Sequence, residues 1–528
     1  MEPLRKYFSR VNEKKMMKTK ITILLALFLN FYSFAQVGTI FTSGVINYKI
    51  TTATTVEVST NIGITGAVSL PSNLNYNNEN YLVTGVGEEA FNGCTGLTSV
   101  TIPNSVTSIG FSAFEGCIGL TSVYIANSVT KIGFNAFYGC SSLTSVSLPS
   151  GLTSIDSATF YDCTSLTSVT LPNTITSIGA AAFKNCLNLT TISIPSGVLG
   201  LGNGAFDGCT GLTTVLVPNT VTTIGHYTFA NCTGLTSVTI PNSVTSIGAG
   251  AFNYCVSLTS VAIPDSVTSI GIRAFQDCPA LTSITVPNSV TSIAPFAFAD
   301  CRALSSVIIP KSVTIIDTAA FYYCSGLSST IIPNTVTALG DYAFGSCTGL
   351  TSVTIPNSAT SIGEGTFIDC KGLTSLTIPN SVTSIGFRSF ESCTGLTSVT
   401  VHWQTPLSVN RNVFQGLDLS TIPLNVPDGT TKVYDEALVW TEFGKFGLGT
   451  KDNFTIKNLK FYPNPAQSQI TFTQEINNLE VFDISGKNVK SFKKTSTTFD
   501  VSNLARGVYV LNVKTVDGNR IYEKMIKE

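Results

Sequence analysis

The cysteines of this chain recur at a fixed interval, which restricts the fold more than any other feature of the sequence. From Cys94 to Cys393, fourteen cysteines follow one another at a spacing of 23 residues. A phenylalanine stands three residues before each cysteine, and a leucine stands three residues after it. A constant period of this length is typical of a solenoid, in which each coil buries its apolar face only by stacking on its neighbours. The pattern predicts a solenoid over residues 91–403 and argues against a compact enzyme with one buried pocket.

The segment from Cys94 to Gly116 is representative of one coil. It begins with the apolar spacing L-x-x-V-x-I, in which the intervening residues are polar, and this predicts a short strand with one buried face. Pro103 ends the strand because proline has no N–H to donate to a ladder. The coil continues with a second apolar pair, Val106 and Ile109, and with Gly110, which allows a tight bend. It ends in a short helical or 3₁₀ turn that carries Phe114. We therefore predict a mainly β solenoid of 23-residue coils with a parallel sheet on one face.

One coil departs from the apolar pattern of this strand. Thirteen of the fourteen coils have an aliphatic residue at the central strand position, and the remaining coil has Thr330. Since a hydroxyl in an apolar core lacks ready hydrogen-bond partners, we expect this coil to be locally weak.

The cysteines themselves have two interpretations. An exported protein with many cysteines usually contains disulfides. However, all fourteen occupy one repeat position, where stacked coils would place them about 5 Å apart with parallel side chains. A disulfide requires Cβ atoms that point toward each other, so we favour a column of buried thiols. Two histidines and the absence of a Cys-x-x-Cys motif argue against zinc, and we predict no metal and no cofactor.

Residues 1–35 have the features of a leader and secretory signal peptide. Lys18 and Lys20 precede an apolar run from Ile21 to Phe34, and a small residue, Ala35, is the expected cleavage site. The run is short for a membrane span, although an N-terminal anchor helix is the alternative. We predict a secreted or cell-surface protein with no transmembrane span in the mature chain.

The coil pattern L-x-x-V-x-I-P-x-S-V-T-x-I-G-x-x-A-F-x-x-C resembles the BspA-like leucine-rich repeat family of bacterial surface proteins. Residues 36–90 resemble that family's N-terminal cap, with a hairpin from Gly44–Ile50 to Thr55–Val58 and an imperfect first coil. Residues 404–449, which include Asn412–Leu417, resemble its C-terminal cap. The resemblance implies adhesion to an extracellular protein or polysaccharide ligand.

After a linker at residues 450–456, the repeat gives way to a different module at residues 457–528. Short alternating strands separated by glycine, asparagine and aspartate turns predict a small Ig-like β-sandwich. The same residues resemble the C-terminal sorting domain of the type IX secretion system of Bacteroidetes. The resemblance implies that the type IX machinery exports the chain and that its sortase removes the tail. The motif residues are Tyr462, Pro463, Asn464, Pro465, Asp483, Gly486, Gly507 and Tyr509.

Composition and motifs exclude several function classes. Charged residues make up 12% of the chain and the net charge is -1, so the basic surface of a nucleic-acid-binding protein is absent. His226 lies in a variable turn and His402 replaces a strand-ending proline, and neither has the acid, base or nucleophile partners of a catalytic site. We predict that the protein is not an enzyme.

Two surfaces remain as candidates for binding. The strand face carries rows of Ser and Thr, interrupted at Tyr124, and is either a solvated surface whose hydroxyls bond to each other or a ligand platform. Tyrosines recur around the Phe-x-x-Cys turn, where they provide rigid, amphipathic contact area unless they only pack locally. The candidate ligand-binding residues are Tyr124, Tyr138, Tyr161, Tyr322, Tyr323 and Tyr342. The main hypothesis is adhesion, and the alternative is a structural surface-layer or spacer protein without a specific ligand.

Overall fold

A computed structural model describes residue 10 and residues 12–23, 37–448, 461–484, 487–516 and 520–528. The chain divides into two compact units, Met1–Leu258 and Thr259–Glu528. Residues 12–23 are helical, and no helix among the described residues is long and apolar enough to cross a membrane. The predicted cleavage site after Ala35, the apolar run beyond residue 23, the linker at 450–456 and the motif residue Gly486 lie outside the described residues.

The first unit begins with six strands that precede the regular coils. Ile46–Ile50 pairs antiparallel with Thr55–Val58, which confirms the predicted hairpin. Gly66–Ser69 runs parallel to the first strand of the next coil, and the end of Glu79–Val86 runs parallel to its second strand, so the predicted imperfect first coil is present. Its asparagine-rich insertion forms a hairpin. The six strands are Ile40–Ser43, Ile46–Ile50, Thr55–Val58, Gly66–Ser69, Asn73–Tyr76 and Glu79–Val86.

Each regular coil contributes one strand to a parallel sheet in which residues of the same repeat position pair. Val146, for example, lies between Val123 and Val169. Aliphatic residues of these strands point inward and hydroxyl residues point outward, as the alternating sequence predicts. In the first unit the strands are Leu97–Ile102, Ser122–Ile125, Ser145–Ser147, Ser168–Thr170, Thr191–Ile192, Thr214–Leu216 and Ser237–Thr239. In the second they are Ser260–Ala262, Ser283–Thr285, Ser306–Ile308, Ser329–Ile331, Ser352–Thr354, Ser375–Ile378 and Ser398–Val401.

A second parallel sheet forms where the sequence predicts only a second apolar pair. Its strands have two residues each, such as Ser177–Ile178, and the second residue is buried in nearly every coil. In the first unit they are Ser108–Ile109, Lys131–Ile132, Ser154–Ile155, Ser177–Ile178, Gly200–Leu201, Thr223–Ile224 and Ser246–Ile247. In the second they are Ser269–Ile270, Ser292–Ile293, Ile315–Ile316, Ala338–Leu339, Ser361–Ile362 and Ser384–Ile385.

The repeated phenylalanines form a stacked column in the core of each unit. From Phe91 to Phe252, neighbouring rings lie 5.2 to 5.6 Å apart between centroids and are nearly parallel. From Phe275 to Phe414 the separation is 5.3 to 5.7 Å. Full burial of one phenylalanine contributes roughly 1.5–3 kcal/mol, so these columns are a major part of each unit's stability.

The Phe-x-x-Cys turn is not the helical turn that the sequence predicts. Around Phe114, every second backbone N–H bonds to a carbonyl of the next coil: Ser112 to Phe134 at 2.9 Å and Gly116 to Tyr138 at 2.7 Å. Residues two before and two after each repeated phenylalanine have positive φ, and the N–H groups of this turn point toward the next coil. The result is a third line of hydrogen bonds between coils, and a helix would have used those donors internally.

The glycine that follows the second strand has a different role from the predicted bend. The φ of Gly110 is not in the left-handed region. Instead, an added Cβ on Gly110 would lie 2.7 Å from the backbone nitrogen of Glu88 in the preceding coil. The glycine lets two backbones approach closely enough for the Gly110 N–H to bond to the Val86 carbonyl at 2.8 Å.

Aromatic residues close the core after the last regular coil. Phe414 stacks on Phe390 at 5.7 Å, and Trp440 packs against Phe414 at 5.9 Å. The Trp440 indole donates to the Leu407 carbonyl at 2.7 Å. These contacts cover the end of the phenylalanine column, as expected of a C-terminal cap. The elements are 3₁₀ helices Arg411–Phe414, Leu419–Thr421 and Trp440–Glu442, helix Thr431–Asp435, and strands Pro423–Val426 and Gly444–Leu448.

The C-terminal module is an antiparallel β structure with its own core. Gln469–Asp483 is its longest strand and pairs antiparallel with four others. Buried residues from several strands, including Ile470, Leu479 and Leu511, form one cluster. The six strands are Phe461–Tyr462, Gln469–Asp483, Asn488–Phe492, Ser496–Asp500, Gly507–Thr515 and Arg520–Lys527.

All fourteen cysteines are buried thiols, as the repeat position predicts. The Sγ of Cys117 donates to the carbonyl of Phe91 at 3.1 Å, and most later cysteines repeat this contact with the phenylalanine of the preceding coil. Burial raises the pKa of the Cys117 thiol to about 12. Since the thiolate is the reactive form, these residues act as small apolar groups with a weak donor.

Thr330 is buried, and its hydroxyl has no hydrogen-bond partner. Its neighbours in the sheet are Val307 and Val353. We predict that Thr330→Val raises the free energy of unfolding by about 1–3 kcal/mol, because it removes an unsatisfied buried group. Urea unfolding measures the difference. The control is Thr351→Val, whose hydroxyl bonds to the Ser328 carbonyl at 3.1 Å and which should not gain stability. Equal effects of the two substitutions would contradict the prediction.

Candidate functional site

The structure brings the predicted tyrosines together in two groups, one in each unit. Tyr138 contacts Tyr161 in the first unit. Tyr322 contacts both Tyr323 and Tyr342 in the second. Both groups lie on the turn that contains the Phe-x-x-Cys motif. The sixth predicted residue, Tyr124, is on the strand face and belongs to neither group.

Tyr138 and Tyr161 form a stacked pair whose outer side is covered. Their ring centroids are 4.8 Å apart, at an interplanar angle of 22°. Lys184 lies over the Tyr161 ring at 5.7 Å and forms an ion pair with Asp207 at 3.0 Å. The hydrogen bond that Lys184 donates to Asp207 raises the pKa of Lys184, so the ammonium remains charged over the ring. The Tyr161 ring is therefore contacted by both Tyr138 and Lys184.

The second group is built from perpendicular rings. Tyr322 meets Tyr323 at 4.7 Å and 89°, and it meets Tyr342 at 6.2 Å and 83°. The Tyr342 hydroxyl donates to Glu364 at 2.7 Å. Tyr322 and Tyr342 are half-buried, whereas Tyr323 is 44% exposed. We call Tyr322, Tyr323 and Tyr342 the tyrosine cluster.

Two glycines in later coils make room for this cluster. An added Cβ on Gly345 would lie 2.9 Å from the Tyr322 ring, and one on Gly365 would lie 2.4 Å from the Tyr342 ring. Gly365 has a positive φ, but alanine occupies the same repeat position with positive φ at Ala319. The ring of Tyr342, rather than backbone conformation alone, therefore requires glycine at residue 365.

The left-handed backbone of the turn is a feature that the tyrosine pattern did not predict. Two residues after each phenylalanine, φ is positive, and most coils have Gly, Asn, Asp or Ser there. Tyr323, with φ 59°, and Tyr254, with φ 60°, are the bulky exceptions. Left-handed backbone costs a non-glycine residue about 1–2 kcal/mol. The run of Gly, Asn and Asp at this repeat position was the sequence signal for it.

Sequence reasoning also missed exposed aromatic residues on the same turns. They are Phe111, Phe134, Tyr227, Tyr254 and Phe387. Tyr227 repeats the arrangement of Tyr342, because an added Cβ on Gly250 would lie 2.4 Å from its ring.

The strand face contains exposed hydroxyl rows with apolar interruptions. Tyr124 is 62% exposed, between Thr101 and Ser147 of neighbouring strands. In the adjacent threonine row, most hydroxyls donate to a backbone carbonyl of the preceding coil: Thr121, for example, to Thr98 at 3.0 Å.

The histidines have structural contacts. The Nδ1 of His226 accepts the Ala249 N–H of the next coil at 2.9 Å, and the His402 N–H donates to the Ile378 carbonyl at 3.2 Å. In the part of the chain that the structure describes, no three His, Cys, Asp or Glu side chains are grouped to hold a metal ion.

The described motif residues of the C-terminal module hold its strands together. The Asn464 amide donates to the Lys524 carbonyl at 3.0 Å, and its oxygen accepts the Ile526 N–H at 2.8 Å. The Tyr509 hydroxyl donates to the Ala505 carbonyl at 2.8 Å. Asp483 accepts the Lys487 N–H at 3.1 Å. Gly507 begins a strand. The other three, Tyr462, Pro463 and Pro465, flank Asn464 at the start of the module.

Two family models match the chain. The BspA type leucine rich repeat region matches residues 84–213, 200–328 and 315–441. The secretion system C-terminal sorting domain matches residues 460–528. No curated protein matches.

Solved structures of leucine-rich repeat proteins are also similar. One from Bacteroides ovatus is 30% identical, covers 77% of this chain and 99% of its own, and gives a TM-score of 0.63. A leucine rich cell surface protein from Faecalibacterium prausnitzii is 28% identical, with coverages of 69% and 94% and a TM-score of 0.43.

The hydrogen bond between Tyr342 and Glu364 has a measurable consequence. Together with burial, it raises the pKa of the Tyr342 phenol from 10.0 to about 12, because the neutral phenol donates the bond. The stabilisation of the folded chain by this hydrogen bond is therefore complete below pH 10 and is lost as pH rises through about 12. We predict that Glu364→Ala lowers the pKa of Tyr342 toward its ordinary value. The measurement is a pH titration of phenolate absorbance, in which the titration of a Tyr342→Phe variant is subtracted to isolate Tyr342. An unchanged titration would contradict the hydrogen bond, and Asp265→Asn is the control.

Proposed function

We propose a function for this chain, which belongs to the family of BspA-type leucine-rich repeat proteins. It is an adhesin that binds extracellular protein or glycan ligands through the aromatic side chains of its turn face, the surface formed by the Phe-x-x-Cys turns. Its C-terminal sorting domain makes it a secreted protein of the cell surface that the type IX secretion machinery handles. We further propose that the sortase of that machinery removes the tail.

The domain organisation is part of the proposal. A leader and signal peptide occupy residues 1–35, the N-terminal cap 36–90, the repeats 91–403 and the C-terminal cap 404–449. A linker at 450–456 joins them to the sorting domain at 457–528. The cap aromatic Phe414 stacks on Phe390 of the last regular coil, and this supports a C-terminal cap that begins after that coil.

The observation that carries the adhesion proposal is the conformation of Tyr323. Its side chain is 44% exposed and its φ is 59°, at a repeat position where most coils have a small or turn-forming residue. Asparagine or glycine would fit this backbone at lower cost. A costly, exposed aromatic residue is more readily explained by recognition than by stability, since strained residues concentrate at functional sites.

A structural role without a specific ligand is the second candidate. The uniform spacing of the phenylalanine column, 5.2 to 5.6 Å in the first unit, favours it, because identical coils offer little chemical variety. The local packing of Tyr322 over Gly345 is also compatible with a purely structural role. The matched families are repeat and sorting modules, and neither brings a catalytic function.

The test is a binding assay of the purified chain from Gln36 onward against matrix glycoproteins and polysaccharides. We expect saturable binding to one class. Changing Tyr138, Tyr161, Tyr322 and Tyr323 to serine should weaken this binding at least tenfold. The reason is that tyrosines that become buried at an interface often dominate its binding energy. The matched control is Ser99→Ala with Ser122→Ala on the strand face. Binding that survives the tyrosine changes would refute the proposed surface, and no binding to any ligand would favour the structural role.

A further inference from the structure

We propose that the tyrosine cluster (Tyr322, Tyr323 and Tyr342) binds a lysine or arginine side chain of a protein ligand. This inference rests on the proposed adhesive function and specifies its ligand chemistry. It depends on three observations: cations placed over other rings of the turn face, the carboxylates beside the cluster, and the perpendicular rings.

Other aromatic side chains on the turn face already have a cation from the same chain. Arg273 lies over the Phe296 ring at 5.3 Å, and Arg388 lies over the Phe387 ring at 5.1 Å. Lys184 occupies the same kind of position over Tyr161 in the first unit. Among the described residues, no lysine or arginine lies over a ring of the tyrosine cluster. A cation from a partner would supply there what the chain supplies at Tyr161, Phe296 and Phe387.

The charge beside the cluster is negative. Asp341 and Glu364 occupy the same repeat position in consecutive coils, and Asp341 immediately precedes Tyr342. Asp341 accepts the Glu364 N–H at 2.7 Å, and Glu364 accepts the Tyr342 hydroxyl at 2.7 Å. Neither carboxylate lies within ion-pair distance of a basic side chain in the described part of the chain.

The next nearest carboxylates are already paired. Asp300 lies 3.0 Å from Arg302, and Asp369 lies 3.6 Å from Lys371. Both basic partners are largely exposed, so these pairs are weak. The positive charge of Arg388 also acts on Tyr342, but Arg388 forms an ion pair with Glu391 at 3.1 Å. Both Asp300 and Asp369 add to the raised pKa of Tyr322, after burial and Tyr323, which places their negative potential at the cluster.

The rings themselves suit a cation better than a sugar. A sugar stacks on one broad aromatic face, but Tyr322 is perpendicular to both of its neighbours. Perpendicular rings with a nearby carboxylate present electron-rich faces in more than one direction, which is the arrangement that recognises ammonium and guanidinium groups. The ligand chemistry that fits is a basic peptide segment.

The experiment measures binding of short labelled peptides to the purified chain by fluorescence anisotropy. The probes are alternating lysine–serine, arginine–serine, glutamate–serine and glutamine–serine peptides. We expect binding of the two basic peptides only, with affinity that falls as salt rises. The double variant Asp341→Asn with Glu364→Gln, which keeps side-chain shape, should weaken binding by about fivefold or more.

The matched control is Glu88→Gln with Asp265→Asn. Glu88 occupies the same repeat position as Glu364, and Asp265 stands where most other coils have asparagine. This control removes two charges elsewhere and should leave peptide binding unchanged. Circular dichroism should show that all variants keep the fold.

Several results would overturn the inference. They are no binding of basic peptides, equal binding of the glutamate peptide, or equal weakening by the double variant and its control. If the double variant leaves binding of a matrix glycoprotein intact while the tyrosine-to-serine changes abolish it, the cation site is wrong and the adhesive function stands.

Discussion

Hydrogen bonding and stacking between successive coils are the interactions on which the rest of this structure depends. A single coil has two very short strands and one phenylalanine, which together bury too little surface to be stable alone. Each coil therefore bonds to its neighbour along three lines: the first strands, the two-residue strands and the Phe-x-x-Cys turns. The thiol of Cys117 adds a fourth contact by donating to the Phe91 carbonyl at 3.1 Å. The residues that repeat without change, phenylalanine, cysteine and leucine, are the ones that these contacts require.

Because the inward positions are committed to stacking, the proposed recognition of a ligand is left to the positions that vary. These concentrate on the turns, where two residues per coil have left-handed backbone. Tyr323 adopts that backbone at a cost, and Gly365 is placed so that the ring of Tyr342 can lie over it. The tyrosine cluster is thus supported by later coils, which holds its rings in place. Rigid aromatic side chains lose little entropy on binding, which is consistent with the proposed binding function of this surface.

Much of the fold could be predicted from the periodicity of the sequence, because every coil of a solenoid has the same local structure. The period of Cys94 and Phe91 predicted coils, a parallel sheet and buried thiols, and the cap aromatic Phe414 predicted the end of the column. The left-handed turn was not predicted. Two residues after the phenylalanine, the run of Gly, Asn and Asp was a signal for it, but residues two before the phenylalanine, such as Ser112, tolerate many conformations and only the coil-to-coil bonds select one. Gly110 was assigned to a bend, since close approach of two backbones is invisible in a single coil. The tyrosines were predicted to lie on the turns, but the angles between their rings, and whether a cation of the described chain lies over them, depend on three-dimensional packing.

The central claim is that each coil is an interchangeable unit held by its contacts to the coils on either side. The direct test is to remove residues Thr210–Cys232, one period of 23, so that Cys209 is followed by Thr233. Urea unfolding should remain cooperative with a lower free energy of unfolding, because the stacking register is kept. Removing only Thr210–Val221 should abolish the cooperative transition, because every later residue is shifted out of register. Similar behaviour of the two deletions would contradict the account.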